Sequence, residues 1–235
     1  MINVVKEFVI QSFKTLDSTQ DQLHRQIAQG QDVHGVIVVA GHQTAGRGRN
    51  GNVWQSPTGG SYQSVAFRCQ KGKPRAGLIT IAIGVCIAES MAVRNIPIKV
   101  KWPNDLYLGD LKIGGILGEL SRGYLILGVG INAAQISKSV LGENGFRSVE
   151  EVHHLVRKAF RRTINELPNT RDYSRRFAEL DFLAGRTVVV KNRAEVFSGA
   201  ARGIDRDGCL KIEGDETLGN QVVCSGSVET IGISD

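Results

Sequence analysis

The stretch GVIVVA, residues 35–40, is apolar at every position after its glycine, the pattern of a strand covered on both faces. SYQSVAFR, 61–68, reads as a second strand. IKVKW, 98–102, alternates, with Ile98, Val100 and Trp102 on one face and Lys99 and Lys101 on the other. Residues 4–16 alternate well enough for a further strand. Residues 106–132 form a meander that turns at Gly109-Asp110 and near Arg122-Gly123. Three segments carry helical signals. DSTQDQLHRQIAQG, 17–30, pairs Thr19 with Gln22 as a capping box, puts Leu23 and Ile27 on one face and ends at Gly30. GLITIAIGVCIAESMAV lies within a buried helix, 76–94. Residues 149–167 keep Val152, Leu155, Val156, Ala159, Phe160 and Ile164 at helical spacing. From Gly185 onward short strands are separated by Gly, Asp and Asn turns, which predicts a small barrel appended to an α/β unit.

The length of 235 residues suits one good-sized domain with a small second one. The apolar run at 77–93 is interrupted by Glu89 and falls short of a membrane span, and the N-terminus lacks a signal-peptide pattern. These features predict a cytoplasmic protein that makes no use of a membrane. Cys69, Cys86, Cys209 and Cys224 form no Cys-x-x-Cys pair and are expected to be reduced thiols. The five histidines show no metal-ligand spacing. A net charge of +6 points to anionic partners. The basic side of the 149–167 helix, Arg157, Lys158, Arg161 and Arg162, is expected to be solvated.

AGRGRNG, 45–51, matches the dinucleotide fingerprint by spacing alone, and with Val53 it opens like a kinase glycine loop. The dinucleotide reading fails because NVWQSPTGGS follows where a helix is required, with no acid some twenty residues on. No kinase lysine, catalytic-loop or Asp-Phe-Gly motif accompanies the loop, and the Walker lysine is missing. What survives is a strand followed by a loop in which glycine N–H groups alternate with Arg47 and Arg49, a cradle for an anion. In KWPND, 101–105, Pro103 is expected to hold the chain extended, so that Asn104 and Asp105 project from a strand-to-turn junction. Lys112 stands across the Gly109-Asp110 turn, within reach of them.

Together LDST (16–19), HQTAGRGRNGNVWQSP (42–57), VKWPNDLYLGDLKIGGIL (100–117), GVGIN (128–132) and ARGIDRDGCL (201–210) resemble the catalytic part of biotin protein ligases. The resemblance implies an α+β fold: a mixed or antiparallel sheet packed with helices over residues 1–183, and a small SH3-like barrel over 184–235. It implies a ligase that joins biotin to a lysine of a biotin carboxyl carrier protein through biotinyl-5′-AMP, with ATP and biotin as substrates and Mg²⁺ as the accompanying ion. By position, Ser18, Thr19, Gln20, Gln43, Arg47, Gly48, Arg49 and Lys112 would meet biotin. Arg49, Trp54, Asn104 and Asn132 would meet the nucleotide. Lys112, Arg47, Arg49 and Asp105 would carry catalysis, Asp105 as Mg²⁺ ligand or as the group orienting the incoming lysine. Ser61 stands near a place where many relatives have asparagine. The catalytic pattern begins almost at residue 1, so no sequence-specific DNA binding is expected. Monomer or homodimer stays open. The rival readings are a lipoate or octanoate ligase on the same fold, and a basic nucleic-acid-binding module. The second is disfavoured by an aromatic content of 6%.

Overall fold

The computed structural model describes residues 5, 7–69, 76–133, 146–166, 173–192, 195–214 and 219–233. Seven strands form a mixed sheet in the order β1-β2-β3-β7-β6-β5-β4: β1 (Val9–Phe13), β2 (Val36–Ala40), β3 (Ser61–Arg68), β4 (Ile98–Lys101), β5 (Asp105–Leu108), β6 (Leu111–Ser121) and β7 (Tyr124–Ile131). β1 and β2 are parallel and every other pair is antiparallel. The described helices are α1 (Thr19–Ala28), α2 (Ala76–Ala92), α3 (Val149–Glu166) and α4 (Tyr173–Leu180). Part of the strand expected over 4–16, and the last residue of the helix expected over 149–167, lie outside the described residues.

Alternation sorts the strand side chains between two layers. Ile37, Val39, Val65, Phe67, Leu125 and Leu127 point into the main core with α2 and α3. Val36, Val38, Ala66 and Ile126 meet Leu23 and Ile27 of α1 on the opposite face. Toward the middle of that second face apolar side chains give way to Ser64 on β3 and to Gly128 and Gly130 on β7. That change leaves room over the sheet.

A second, antiparallel sheet has the order β11-β10-β9-β8-β12: β8 (Arg186–Asn192), β9 (Glu195–Ile204), β10 (Leu210–Glu213), β11 (Asn220–Val223) and β12 (Ser227–Ile233). It is docked to the first. The Trp102 indole Nε1 donates to the Gly208 carbonyl at 2.9 Å, and Phe182 N donates to Val100 O at 3.1 Å. Val188, Val190, Ala201 and Leu210 continue the main core.

Several expectations are corrected. Cys209 and Cys224 form a disulfide, while Cys69 and Cys86 are free thiols. Leu210 pairs with Val223 across β10 and β11, so the two cysteines flank the same end of one ladder. A spacing of 15 residues does not reveal this until the strands are paired. The cap of α1 is Ser18, whose Oγ accepts from Gln20 N and Asp21 N. Thr19 does not fill that role, because its hydroxyl is engaged by Gln43 and Ser64. Pro103 does not extend the chain: the Trp102-Pro103 peptide is cis, and residues 102–104 form a turn. The basic side of α3 keeps Lys158, Arg161 and Arg162 exposed, as expected of a solvated face, and its arginines also find partners within the chain. Arg157 pairs with Glu150, Arg162 with Glu89 and Glu166, and Arg161 stacks over Phe8.

Candidate active site

A cavity of about 240 Å³ opens on the glycine-bearing face of the large sheet. Ser18, Thr19, Gln20, Gln43, Arg47, Gly48, Arg49, Trp54, Asn104, Asp105 and Lys112 all line it. Asn132 does not. It sits behind Tyr62, whose hydroxyl donates to its Oδ1 at 3.4 Å. Burial pushes the Tyr62 pKa up to about 12, so the phenol keeps its proton. Ser61 is also outside the lining, fully buried and bonded to the Gln63 amide.

One end of the cavity is a polar network at the N-terminus of α1. Thr19 N donates to Gln43 Oε1 at 2.8 Å, Thr19 Oγ1 lies 2.8 Å from Ser64 Oγ, and Ser64 Oγ donates to Gln20 Oε1 at 3.0 Å. Gln43 Nε2 in turn donates to Ser56 Oγ at 2.8 Å. These groups are buried, yet each has a partner, so the network is fixed before any ligand arrives. Gly128 leaves this network room, since a Cβ on it would stand 2.8 Å from Gln20 Oε1 and 3.1 Å from Ser64 Oγ and would push both aside.

The floor continues over Gly130 and Gly115, which face each other across β7 and β6 and carry the Trp54 ring. The Trp54 Nε1 is buried without a hydrogen-bond partner among the described residues.

At the other end stands the charged group. The β5–β6 register slips between Leu106 and Tyr107, so β6 carries one extra residue at that point. Without that bulge Lys112 and Gly115 would face opposite sides of the sheet. With it, Lys112 joins Asp105 on the cavity face, and Lys112 Nζ reaches Asp105 Oδ2 at 2.8 Å. Lys112 also lies over the Trp54 ring, 5.5 Å from its centroid. Asn104 is held by its Nδ2 on Ile116 O at 2.9 Å and accepts from Arg49.

The two arginines of the loop differ. Arg49 is partly buried and spans from Asn104 Oδ1 to the Gly226 carbonyl of the terminal sheet, both at 3.2 Å. Burial pushes its pKa down, against the pull of Asp105. Arg47 is more exposed and is clamped by Asp21 and Glu119, each at 2.8 Å. Burial raises the Glu119 pKa, but His24, Gln20 and Arg47 outweigh it and hold the carboxyl below its ordinary value. Gly48 spends its N–H on the Asn52 carbonyl at 2.7 Å. Sequence reasoning missed Ser64, Glu119, Lys101 and Ser227 as neighbours of the cavity, along with its glycine floor. The Gly114-Gly115 and Gly128/Gly130 spacings were the available signal for the floor.

Among the described residues Asp105 is the only carboxylate that lines the cavity, and no group of three or more His, Cys, Asp or Glu could hold a metal. These residues suit an ion that arrives on a phosphate ligand and takes one protein carboxylate. The cavity is a slot with an uncharged polar end and a cationic end. Residues 12–134 match the Biotin/lipoate A/B protein ligase family, and the chain belongs to that family. It is 34% identical over 220 residues to the bifunctional ligase/repressor BirA of Escherichia coli, covering 85% of this chain and 68% of that protein. It is 36% identical over 129 residues to the biotin–[acetyl-CoA-carboxylase] ligase of Mycobacterium tuberculosis, covering 52% of this chain and 48% of that one. The biotin protein ligase of Aquifex aeolicus, solved in complex with biotin and ATP, superposes with a TM-score of 0.81 at 24% identity over 97% of this chain and 100% of that one. No described helix is long and apolar enough to cross a membrane.

Proposed function

We propose that this chain is an ATP-dependent ligase that attaches biotin to a lysine of a biotin carboxyl carrier protein through biotinyl-5′-AMP. The observation that carries the reading is one cavity with the Thr19–Gln43–Ser64–Gln20 network at one end and the Lys112–Asp105 pair at the other. The network offers hydroxyl and amide partners suited to a buried urea, which would be costly to leave unpaired. Lys112 is positioned for two anions that must touch, a carboxylate and an α-phosphate. Their repulsion costs several kcal/mol in a partly dry site unless fixed cations offset it.

In the first step a biotin carboxylate oxygen attacks the α-phosphorus and pyrophosphate leaves. Lys112 and Arg49 stabilise the charge shared at phosphorus, and Arg47, braced by Asp21 and Glu119, fixes the loop. Trp54 and Asn104 shape the nucleotide side, and Gly48 lies against biotin. Mg²⁺, carried by the triphosphate, would meet Asp105 and supply further charge neutralisation. In the second step the carrier's ε-amine attacks the acyl carbon and AMP leaves; Asp105 orients that amine. Ser18, through the α1 cap, holds Thr19 and Gln20 in place. We assign residues 1–183 to the catalytic unit and 184–235 to the terminal one, and place the activity in the cytoplasm.

The test is incubation of the protein with ATP, Mg²⁺ and labelled biotin, followed by addition of a carrier fragment. Labelled biotinyl-AMP and then labelled carrier are expected. Label appearing only when lipoate replaces biotin would overturn the assignment, as would absence of any adenylate.

A further inference from the structure

Lys101 on β4 stands directly opposite Asp105 on β5, on the sheet face that also carries Lys112. Asp105 is already engaged by Lys112 at 2.8 Å. Lys101 makes no ion pair among the described residues. Its Nζ lies instead over two rings, 5.5 Å from the centroid of Tyr107 and 5.9 Å from that of Phe182. Ring faces orient an ammonium without neutralising it. Burial pushes the Lys101 pKa below its usual value, opposed by Asp105 and Glu229 and reinforced by Lys112 and Arg186; Glu229 is itself paired with Lys191 at 2.9 Å. With Arg49 and Lys112, the cavity therefore presents more positive than negative charge around Asp105, the one carboxylate of its described lining.

The order of the groups across the sheet gives that charge a direction. Ser64 stands on β3, Gly128 and Gly130 on β7, Lys112 on β6, Asp105 on β5 and Lys101 on β4. Strands are spaced about 4.8 Å apart, so the backbone of Lys101 lies two strands, roughly 10 Å, beyond that of Lys112 and on the side away from the polar network. Ser227 and Val228 of the terminal sheet also line the cavity.

We propose that Lys101 binds the β- and γ-phosphates of the nucleoside triphosphate and holds pyrophosphate as it departs. The inference rests on the adenylation reading above and extends it to the tail of the nucleotide. When the carboxylate oxygen bonds to the α-phosphorus, the bond from that phosphorus to the β-bridging oxygen breaks and its electron pair goes to pyrophosphate. Negative charge grows on the leaving group, and a fixed ammonium at that end favours the step. The adenylate itself has no such tail, so Lys101 has nothing to hold during transfer to the carrier.

That difference supplies the experiment. Lys101→Gln and Lys101→Arg are compared with the parent in three assays: adenylate formation against ATP, inhibition by inorganic pyrophosphate, and transfer from supplied biotinyl-AMP to a carrier fragment. Lys101→Gln is expected to raise KM for ATP and weaken pyrophosphate inhibition by about tenfold or more. Transfer from supplied adenylate should stay within about twofold, and Lys101→Arg should recover part of the loss. In the unsubstituted protein, pyrophosphate should shield Lys101 from reductive methylation, a readout that needs no variant. Unchanged ATP and pyrophosphate dependence, transfer that falls as far as adenylation, or methylation of Lys101 indifferent to pyrophosphate would each overturn the proposal. A parent protein that makes no biotinyl-AMP at all would instead defeat the underlying ligase reading.

Discussion

Lys112 Nζ and Asp105 Oδ2 are 2.8 Å apart because a bulge in β6 turns the lysine onto the aspartate's side of the sheet. Removing either partner therefore changes the other. Lys112→Ala should lower adenylate formation by about 10²–10³, the usual loss when a preorganised charge-stabilising group is deleted. Asp105→Asn should slow transfer from supplied biotinyl-AMP more than it slows adenylation, read by quenching each half-reaction separately. Equal losses in both half-reactions would count against Asp105 as the group that orients the amine.

Gly128→Ala tests the polar end. The new methyl would crowd Gln20 Oε1 and Ser64 Oγ, forcing apart a network whose members otherwise satisfy one another. Biotin affinity by calorimetry should fall about tenfold or more, while ATP affinity changes little. Undiminished biotin binding would remove the network from the ligand site.

Asp181 gives a pH signature. It is 7% exposed, and burial raises its pKa from 3.8 to about 6, with the Leu183 N–H and Lys99 pulling the other way. The folded protein binds this proton more tightly than the unfolded chain. The stabilisation is therefore fully present below about pH 4 and is lost as pH rises through about 6, a swing of about 3 kcal/mol. Asp181→Asn keeps an oxygen for Leu183 N and removes the titration. Relative to the parent it should gain thermal stability steadily between pH 4 and pH 7; a pH-independent difference in Tm would contradict the shift.

The Cys209–Cys224 bridge closes a loop of 15 residues, worth about 3 kcal/mol through the entropy of the unfolded chain. Adding a phosphine reductant should lower Tm by several degrees, and the Cys209→Ser/Cys224→Ser double variant should match the reduced parent and ignore reductant. A parent whose melting is indifferent to reductant would show that the bridge does not form.

Much of this was legible in the chain. Alternation in IKVKW separated Trp102 from Lys101, and the Gly109-Asp110 turn predicted the hairpin that carries Lys112 back toward Asp105. What could not be read depended on pairing between distant segments. Arg47's acids lie on α1 and β6, Ser64 matters only once β3 lies beneath α1, and the cysteines meet only when β10 finds β11. The helix Tyr173–Leu180 escaped notice because its eight residues bury only Tyr173 and Phe177, one turn of periodicity. The α1 cap was misassigned by one position for a related reason: two adjacent hydroxyls suit the cap equally until tertiary contacts recruit one of them.

Arg49 donates to the carbonyl of Gly226, 177 positions further along the chain. A ribosome making this protein has therefore completed the family-matching segment long before that acceptor is translated. Competence should arrive late and abruptly during synthesis, and nonsense alleles that spare residues 12–134 but stop short of β12 should be null.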